Sequence, residues 1–392
     1  MNYVLFDGSV RDRLLPFTFT RPVADIRLGI STIREKWEHF LKQKTSTFTR
    51  DYLAEKFPLR KEENNILINA SVLPDEKLAE QVMHLNKGEV LVSDGVMIAL
   101  FAHEDDIAGM ESKDHKVIAA NRKIRQLQQV YEIFSMNNDF LREDFSRITE
   151  GRKSQPLSKT NFVLGDAENI FLEEGAKVEF AFLNATDGPI YIGKEAVVME
   201  GAKIRGPFAL CAHSTVKMDA KIYGGTTIGP HCKVGGEISN SVIFGYSNKG
   251  HDGFLGNSVL GEWCNLGADT NVSNLKNTYE SVKLWSYVSE HFENTGEQFC
   301  GLMMGDHSKT GINTMFNTGT VVGVYANIFG DGYQRNFIPS FSWGGKQGLT
   351  HYNLQKAFKV AEAVFARRDK AFDETEKAIL THIYETTYDK RR

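Results

Sequence analysis

The sequence has few cysteines, and no two of them are close together. The four cysteines are Cys211, Cys232, Cys264 and Cys300, with no C-x-x-C spacing. Zinc sites and disulfide frameworks in proteins depend on closely spaced or paired cysteines. The sequence therefore indicates neither a zinc site nor a disulfide framework. We expect the four cysteines to be free thiols with small, buried side chains.

Long apolar runs and an excess of basic residues are also missing. No segment approaches the roughly 20 apolar residues of a membrane helix, and the opening MNYVLFDGSVRDRLLPF lacks the apolar core of a signal peptide. The net charge is -4, which gives no basic excess for binding nucleic acid. We expect a cytoplasmic protein with no membrane or nucleic-acid partner, whereas a phosphate-bearing small molecule stays open. The length of 392 residues favours two domains.

A repeat of six residues is the strongest pattern in the sequence. An aliphatic residue recurs at every sixth position in the middle of the chain, at Ile192, Val198, Ile204, Leu210, Val216, Ile222, Ile228 and Val234. This period matches neither an α-helix nor an isolated strand. It is typical of a coil of short strands in which each aliphatic side chain points inward. We expect a left-handed parallel β-helix built from hexapeptide repeats.

The period is interrupted twice and then resumes. The later positions in phase are Phe254, Leu260, Leu266 and Val272, and then Thr310, Phe316, Val322 and Ile328. We expect three hexads per coil from about Phe162 to Ile328, with loops at the interruptions. Such loops usually carry function in repeat proteins.

The two ends of the chain have a different character. Strand candidates at Tyr3–Phe6, Ile66–Asn69 and Glu89–Val92 and a helical pattern at Ile33–Leu41 predict a shortened, Rossmann-like α/β domain over residues 1–155. A polar linker follows at 150–158, and the β-helix is assigned to residues 160–343. Apolar residues at helical spacing after position 350 predict a terminal amphipathic α-helix within 350–392.

The segment LFDGSVRDRLLPFTFTRP resembles the nucleotide-binding signature of sugar-1-phosphate nucleotidyltransferases. The resemblance implies that Arg13 contacts the triphosphate and acts in catalysis, that Asp94 holds the metal, and that nucleotide and phosphate are bound by Asp7, Gly8, Arg13, Arg21 and Arg27. A loop after a strand and an Arg fork both suit phosphate. Gly8 is the single glycine of this loop, and Val23 occupies the position of the family's lysine.

The segment NKGHDGFLGNSVLGEWCNLGADTNVSN resembles the acetyltransferase loop of the GlmU-type bifunctional uridyltransferase/acetyltransferases. By this resemblance His251 is the general base, and Phe254, Asn265 and Asn274 contact the sugar or the acyl donor. An amino sugar must lose a proton before it attacks a thioester, and histidine suits that role. Phe254 replaces a tyrosine of the family pattern, and Asp269 replaces a glycine.

The segment GDHSKTGINTMFNTGTVVG resembles a stretch of archaeal-type two-domain sugar nucleotidyltransferases with β-helix tails. That family packs its coils as homotrimers with acyl-CoA between neighbours. The resemblance implies that Lys309 and Asn313 line such a groove, together with Asn317 and Thr318. The alternative is that these Asn and Thr residues cap the corners of the coil.

Together these resemblances imply a GlmU-like transferase of nucleotide-sugar synthesis. The α/β domain would join a nucleotide (from UTP or dTTP) to a sugar 1-phosphate with Mg²⁺, and the β-helix would move an acyl group from acetyl-CoA to an amino sugar. One alternative is an acyltransferase whose N-terminal domain no longer catalyses. Another is a non-catalytic protein that binds nucleotide sugars or serves assembly.

Overall fold

The computed structural model describes residues 1–103, 107 and 115–391. By the contacts within it, the chain divides into two compact units. Unit 1 comprises Met1–Leu14, Thr20–Ile26 and Ser31–Gln129, and unit 2 comprises Leu15–Phe19, Arg27–Ile30 and Val130–Arg392. No helix in the described ranges is long and apolar enough to cross a membrane.

Unit 1 is an α/β unit in which helices and strands alternate. In chain order its elements are β1 Asn2–Phe6, α1 Ile33–Leu41, β2 Ser46–Phe48, α2 Asp51–Ala54, β3 Asn64–Asn69, β4 Val72–Leu73, α3 Glu76–Met83, β5 Glu89–Ser93, β6 Val96–His103, β7 Lys116–Ala119 and β8 Arg125–Gln126. Thr32 and Glu35 form a capping box that starts α1 at the predicted residue. The predicted helix and the predicted strands are confirmed.

The main sheet of unit 1 has the strand order β2-β1-β3-β6-β5-β7. Strand β1 pairs in parallel with both β2 and β3, whereas β6 runs antiparallel to its two neighbours. One face buries Val4, Phe6, Leu67 and Leu100. Because the chain leaves β1 first for β2 and then for β3 on its other side, the strand order reverses at β1. In open α/β sheets ligands bind at such a point, outside the carboxyl ends of the strands.

Unit 2 begins with α4 Glu132–Ser135 and α5 Asn137–Thr149 and then becomes a coil of short strands. These are β9 Phe162–Leu164, β10 Ile170–Leu172, β11 Lys177–Val178, β12 Phe182–Asn184, β13 Ile190–Ile192, β14 Val197–Val198, β15 Lys203–Arg205, β16 Phe208–Leu210, β17 Thr215–Val216, β18 Lys221–Ile222, β19 Thr226–Ile228, β20 Lys233–Val234, β21 Glu237–Ser239, β22 Val242–Gly245, β23 Asn248–Lys249, β24 Phe254–Gly256, β25 Val259–Glu262, β26 Asn271–Val272, β27 Lys283–Ser286, β28 His291–Asn294, β29 Leu302–Met304, β30 Lys309–Thr310, β31 Met315–Phe316, β32 Thr320–Val322, β33 Asn327–Ile328, β34 Phe337–Ile338, β35 Ser342–Gly345 and β36 Gly348–His351.

Successive coils stack these strands into three parallel faces. Face 1 runs β10-β13-β16-β19-β22-β25-β29-β32-β34. Face 2 runs β11-β14-β17-β20-β23, continues through single bridges at Asn265, and resumes at β30-β33-β35. Face 3 runs β9-β12-β15-β18-β21-β24 and is followed by the β26-β31 pair. The hairpin β27–β28 leaves the coil between β26 and β29. The predicted β-helix is confirmed.

The inward column of the β-helix contains the predicted ladder. Every member from Ile192 to Val234 is at most 2% exposed, as are Leu260, Leu266, Val272, Phe316, Val322 and Ile328. The phase prediction was wrong at one position: Leu255 points inward and is fully buried, whereas Phe254 is half-buried and outward. The step from Leu255 to Leu260 is one residue shorter than a hexad, so extrapolating backwards from Leu260 selected the neighbour.

Aromatic rings stack on one another along the corner between faces 1 and 2. Each ring belongs to a residue with positive φ, in the order His213, His231, Tyr246, Trp263, His307, Tyr325 and Phe341. Non-glycine residues in this conformation are strained. Stacking of successive rings, with centroids between 4.3 Å and 6.3 Å apart, offsets part of that cost.

The C-terminal segment forms two helices rather than one continuous helix. Helix α6 spans Leu354–Ala366 and α7 spans Glu374–Thr386, capped by Asn353 and Asp373. The chain turns between them at Asp369, which has positive φ. Phe365 of α6 stacks on Trp263 at 4.2 Å, which fixes α6 to the β-helix. Arg392 lies outside the described residues.

Candidate functional sites

A cavity of about 700 Å³ opens on face 2 of the β-helix. Its lining includes three residues that the sequence singled out, His251, Asn265 and Lys309. Asn265 and Lys309 pair with each other through a single bridge on face 2, and each directly precedes a buried residue, Leu266 or Thr310, so both point outward. His251 comes from the loop that follows β23. The coil therefore brings together residues that lie 58 positions apart or less in the sequence.

The cavity is strongly cationic. Lys217, Lys233, Lys309, Arg367 and Arg368 line it, and within the described part of the chain no carboxylate does. Burial, followed by the charges of Arg368, Lys217 and Arg367, lowers the pKa of Lys233. Neighbouring cations lower each other's pKa, and an anion bound among them stabilises their charged forms. The cavity is therefore suited to a ligand with several phosphates.

Lys309 is held deep in this cavity by the protein itself. Its Nζ donates to the His307 carbonyl at 2.9 Å and lies 5.4 Å from the centre of the Tyr325 ring. Burial lowers its pKa to about 8. A lysine so placed is partly neutral near physiological pH and gains charge when an anion binds next to it.

The terminal helix contributes directly to this site. Phe365 stacks on Trp263, a lining residue, and brings Arg367 and Arg368, which directly follow α6, to the cavity. Lys370 lies over the ring of Tyr246, another lining residue, at 5.2 Å. The rings of Tyr246 and Trp263 stack on each other at 4.3 Å, so the edge of this aromatic stack borders the cluster of cations in the cavity.

The loop that carries His251 is held by contacts with Lys249 and Gly236. Lys249 Nζ donates to the His251 carbonyl at 2.6 Å. A Cβ on Gly236 would lie 2.8 Å from that same carbonyl oxygen, so the loop packs on a bare backbone. Gly253 has φ of +114°, and a Cβ there would lie 2.2 Å from the Thr270 carbonyl. The side chain of His251 itself is exposed.

Three further predicted contacts lie elsewhere. Phe254 is on face 3, where its N–H donates to Asn271 Oδ1 at 2.9 Å. Asn274 Nδ2 donates to Asn257 Oδ1 at 2.8 Å, and Asn274 is not part of the cavity lining. Asn313 is exposed at a corner with φ of 57°. The structure therefore does not place these three side chains in the lining of the His251 cavity.

A second cavity of about 1140 Å³ lies beneath the hairpin β27–β28. Trp285 stacks on Phe337 at 4.3 Å to form an aromatic wall, and Lys283 and Arg335 supply positive charge. Trp285 Nε1 is buried and has no hydrogen-bond partner among the described residues. The amides of Asn317 and Asn336, together with Thr318, also line it, so this cavity has the mixed aromatic, amide and cationic lining that suits a phosphorylated sugar.

In unit 1, Asp7 and Gly8 lie at the point where the strand order reverses. A Cβ on Gly8 would lie 3.7 Å from Asn69 Oδ1, so the ends of β1 and β3 meet here without crowding. Asp7 is engaged by the protein: Oδ1 accepts from the Val23 N–H at 2.8 Å and Oδ2 from Thr49 Oγ1 at 2.5 Å. Burial raises its pKa, and these two hydrogen bonds oppose that. Asp7 therefore holds the loop at Val23 in place.

The predicted arginines are not gathered at one site. Arg13 is exposed and sits in the 3₁₀ segment Ser9–Leu14 of unit 1. Arg21 is 5% exposed, and Arg27 belongs to unit 2, where its guanidinium donates to the Ile30 carbonyl. Ile30 in turn donates its N–H to Asp144 of α5 at 2.8 Å. Of the three, Arg13 has the exposure that a phosphate contact requires.

Asp94 occupies a hairpin turn. Asp94 and Gly95 have φ of 48° and 78°, which is the two-residue turn that Asp-Gly favours between antiparallel strands such as β5 and β6. Asp7 and Asp94 are three strand spacings apart along the sheet edge, about 14 Å. Among the described residues no three His, Cys, Asp or Glu side chains group together as metal ligands. The described residues of unit 1 do not fit a Mg²⁺ site built by the protein.

Several residues of the cationic cavity escaped the sequence reasoning. Lys217 and Lys233 come from the coils before the loop of His251, and Arg367 and Arg368 from the turn after α6, more than a hundred residues later. A signal was present in the repeat, because Lys233 and Lys309 each directly precede an inward residue and so must point outward on face 2. The arginines carried no such signal, since their position depends on how α6 packs.

Comparison with known proteins agrees with this architecture. Residues 3–153 match the family described as sugar nucleotidyl transferase. A bifunctional sugar-1-phosphate nucleotidylyltransferase/acetyltransferase of Sulfurisphaera tokodaii is 34% identical over 93 residues, covering 24% of this chain and 23% of its own. The bifunctional protein GlmU of Methanococcus vannielii is 25% identical over 261 residues, covering 66% of this chain and 54% of its own. This chain thus spans between about a quarter and about half of these relatives.

Solved structures were matched at low identity over part of the chain. An Arabidopsis UDP-N-acetylglucosamine acyltransferase shares 12% identity and a TM-score of 0.24, over 60% of this chain and 91% of that one. The enzyme of the same name from Campylobacter jejuni shares 16% identity and a TM-score of 0.25. The chain thus combines a region that matches the sugar nucleotidyl transferase family with a β-helix. Parts of it are similar to bifunctional GlmU proteins.

Proposed function

We propose that the β-helix transfers an acyl group from acetyl-CoA to an amino sugar phosphate in the face 2 cavity. The observation that carries this proposal is the joining of His251 to a cluster of five cations in one cavity of about 700 Å³. The phosphates of CoA match the cations. His251 lies in the lining, where the thioester would end.

The chemistry assigns one role to His251. Its imidazole takes a proton from the amino group of the sugar, and the free electron pair then attacks the thioester carbonyl. A bond forms between nitrogen and the carbonyl carbon, the nitrogen loses its second proton to solvent, the carbon–sulfur bond breaks, and the leaving CoA thiolate takes a proton from the imidazolium of His251. Asn265, which also lines the cavity, would hold the thioester.

Replacing His251 with alanine tests this assignment. We expect kcat for CoA release in the presence of an amino sugar phosphate to fall about a hundredfold or more, because a general base contributes about that factor. Binding of CoA, measured by calorimetry, should be nearly unchanged. A His251→Ala protein with full activity would remove His251 from the reaction.

We propose the cavity beneath β27–β28 as the place of the phosphorylated sugar. Its support is the lining by Trp285, Lys283 and Arg335 with an indole N–H that lacks a protein acceptor. Lys283→Ala should raise KM for the sugar phosphate about tenfold and leave KM for acetyl-CoA within about twofold, since one charge-assisted contact is lost. Equal effects on both substrates would argue against a separate acceptor cavity.

For unit 1 we propose transfer of a nucleotidyl group from UTP or dTTP to a sugar 1-phosphate, with release of pyrophosphate. The support is the family match over 3–153 and the reversal of strand order at Asp7 and Gly8. Because the described residues do not build a metal site, any requirement for Mg²⁺ is expected to come with the nucleotide phosphates. Arg13→Ala should abolish pyrophosphate release, whereas Lys77→Ala, another exposed cation of unit 1, should not.

An acyltransferase with an inactive unit 1 is the second candidate. It is favoured by the engagement of both Asp7 oxygens within the protein and by Val23 in place of a lysine. Pyrophosphate release assayed with UTP or dTTP and a panel of hexose 1-phosphates decides between the two. Activity with no pair, in a protein that still consumes acetyl-CoA, selects this second candidate.

We propose that the chain works as a homotrimer. The two β-helix cavities share no lining residue, and a neighbouring copy would bring its acceptor cavity against His251. An apolar strip on face 3 supports such packing, because Phe162 and Phe182 stack at 5.0 Å while 64% and 46% exposed. Light scattering should give three times the chain mass, and Phe182→Glu should give the monomer. Met218→Glu, at an exposed residue outside the strip, serves as the control.

A further inference from the structure

Lys249 occupies an inward position of the β-helix, where the hexad pattern predicts an apolar residue. Lys249 pairs with Val234 in the inward column of face 2, and its side chain is 2% exposed. The same column holds Val216 and Ile328, both fully buried. A lysine in an apolar column loses its hydration and costs stability unless its charge is used.

The ammonium group of Lys249 makes a hydrogen bond to the loop of His251. Its Nζ donates to the His251 carbonyl at 2.6 Å. No carboxylate among the described residues lies within ion-pair distance of Nζ. Asp252 and Asp269 are the nearby acids, and they only partly oppose burial, which lowers the pKa of Lys249 to about 8. The His251 carbonyl oxygen is therefore the main group that stabilises the charge of this buried lysine.

We propose that Lys249 is a positioning residue that holds the His251 backbone so that the imidazole points into the face 2 cavity. This inference rests on the proposed function of His251 as the base of acyl transfer. The geometry supports it from two sides, because the same carbonyl also lies against Gly236, where a Cβ would come within 2.8 Å. The loop thus packs against the backbone of Gly236 and is held by one charge-assisted hydrogen bond from Lys249.

Lys249→Met tests the proposal because methionine fills the column and removes the hydrogen bond. We expect kcat for acyl transfer to fall about 10- to 100-fold, the range for a catalytic group displaced by about 1 Å. KM for acetyl-CoA should stay within about twofold, since no cavity cation is changed. Thermal stability should not fall, because replacing a buried charged group by a well-packed apolar one is often neutral or stabilising.

Ile328→Met is the matched control, since Ile328 lies in the same inward column but in a coil beyond the cavity. It should leave kcat unchanged. A second readout does not depend on activity: the imidazole signal of His251 in a carbon–proton NMR spectrum, assigned with His251→Ala, should shift or broaden in Lys249→Met. The signal of His84, which lies in unit 1, should stay in place.

The outcomes separate this inference from the function on which it rests. If His251→Ala keeps full activity, the proposed acyl-transfer role fails whatever Lys249 does. If His251→Ala is inactive while Lys249→Met keeps the wild-type kcat and an unchanged His251 signal, the inference about Lys249 is refuted and the role of His251 stands.

Discussion

A single carboxylate in the inward column should unfold the β-helix, whereas the same carboxylate one residue earlier should not. Val216 is fully buried and packs between Val198 and Val234 of the adjoining coils. Its neighbour Thr215 is on the same strand, half-buried and outward. Val216→Asp and Thr215→Asp therefore add the same group to opposite sides of one strand.

The magnitude follows from burial. An aspartate with no partner in an apolar column has its pKa raised by about 3–5 units, which costs about 4–7 kcal/mol at neutral pH. Loss of the valine side chain from the core adds about 1.5–3 kcal/mol. Together these are comparable to the total stability of a typical domain, about 5–15 kcal/mol. The outward Thr215→Asp should change stability by less than about 1 kcal/mol.

Urea unfolding followed by circular dichroism measures both variants. We expect Val216→Asp to lose the β-helix transition at neutral pH and to recover part of it in acid. The sign follows from the raised pKa, because the folded variant is penalised only while the carboxyl is charged, so its deficit shrinks as the pH falls. A Val216→Asp protein as stable as Thr215→Asp would refute the inward ladder.

Three further predictions concern other parts of the chain. Lys233→Ala should weaken CoA binding about five- to tenfold at low salt and less at high salt, measured by calorimetry, because an exposed ion pair is screened. Burial raises the pKa of the Cys232 thiol to about 12, so iodoacetamide should label Cys232 only in denaturant, and labelling of the native protein would contradict its burial. Hydrogen bonds from Lys116 and then from Asn86 lower the pKa of Glu89 to about 2. The resulting stability is present above the usual glutamate pKa and is lost as the pH falls towards about 2. Lys116→Met should weaken, but not remove, this acid dependence in urea unfolding.

The hexad rule specified the β-helix because each inward side chain meets only its neighbours in adjoining coils. In such a fold each repeat contacts only its neighbours, so the inward positions from Ile192 to Val234 could be predicted without knowing any long-range contact. The rule failed at Phe254, where one corner is shorter by a residue. It also gave no role to Lys249, since nothing in the period distinguishes an inward lysine from an interruption.

Local motifs located parts of the sites and missed their surroundings. The resemblance around His251 and Lys309 selected two residues that share the face 2 cavity. The resemblance around Asp7 and Asp94 selected residues about 14 Å apart on the sheet edge, one holding the chain at Val23 and the other in a turn. An Asp-Gly pair between strand candidates carries a hairpin signal, which could have identified that turn.

By itself the sequence determined the period of the coil, its inward residues and the α/β character of unit 1, because these depend on residue order and local geometry. Only the tertiary structure decided which cations surround His251. Arg367 and Arg368 reach the cavity because Phe365 stacks on Trp263, and Lys249 reaches the His251 carbonyl because its column lies beneath the loop. Contacts of this kind depend on side chains meeting across coils and helices, and no spacing in the chain encodes the distance between them.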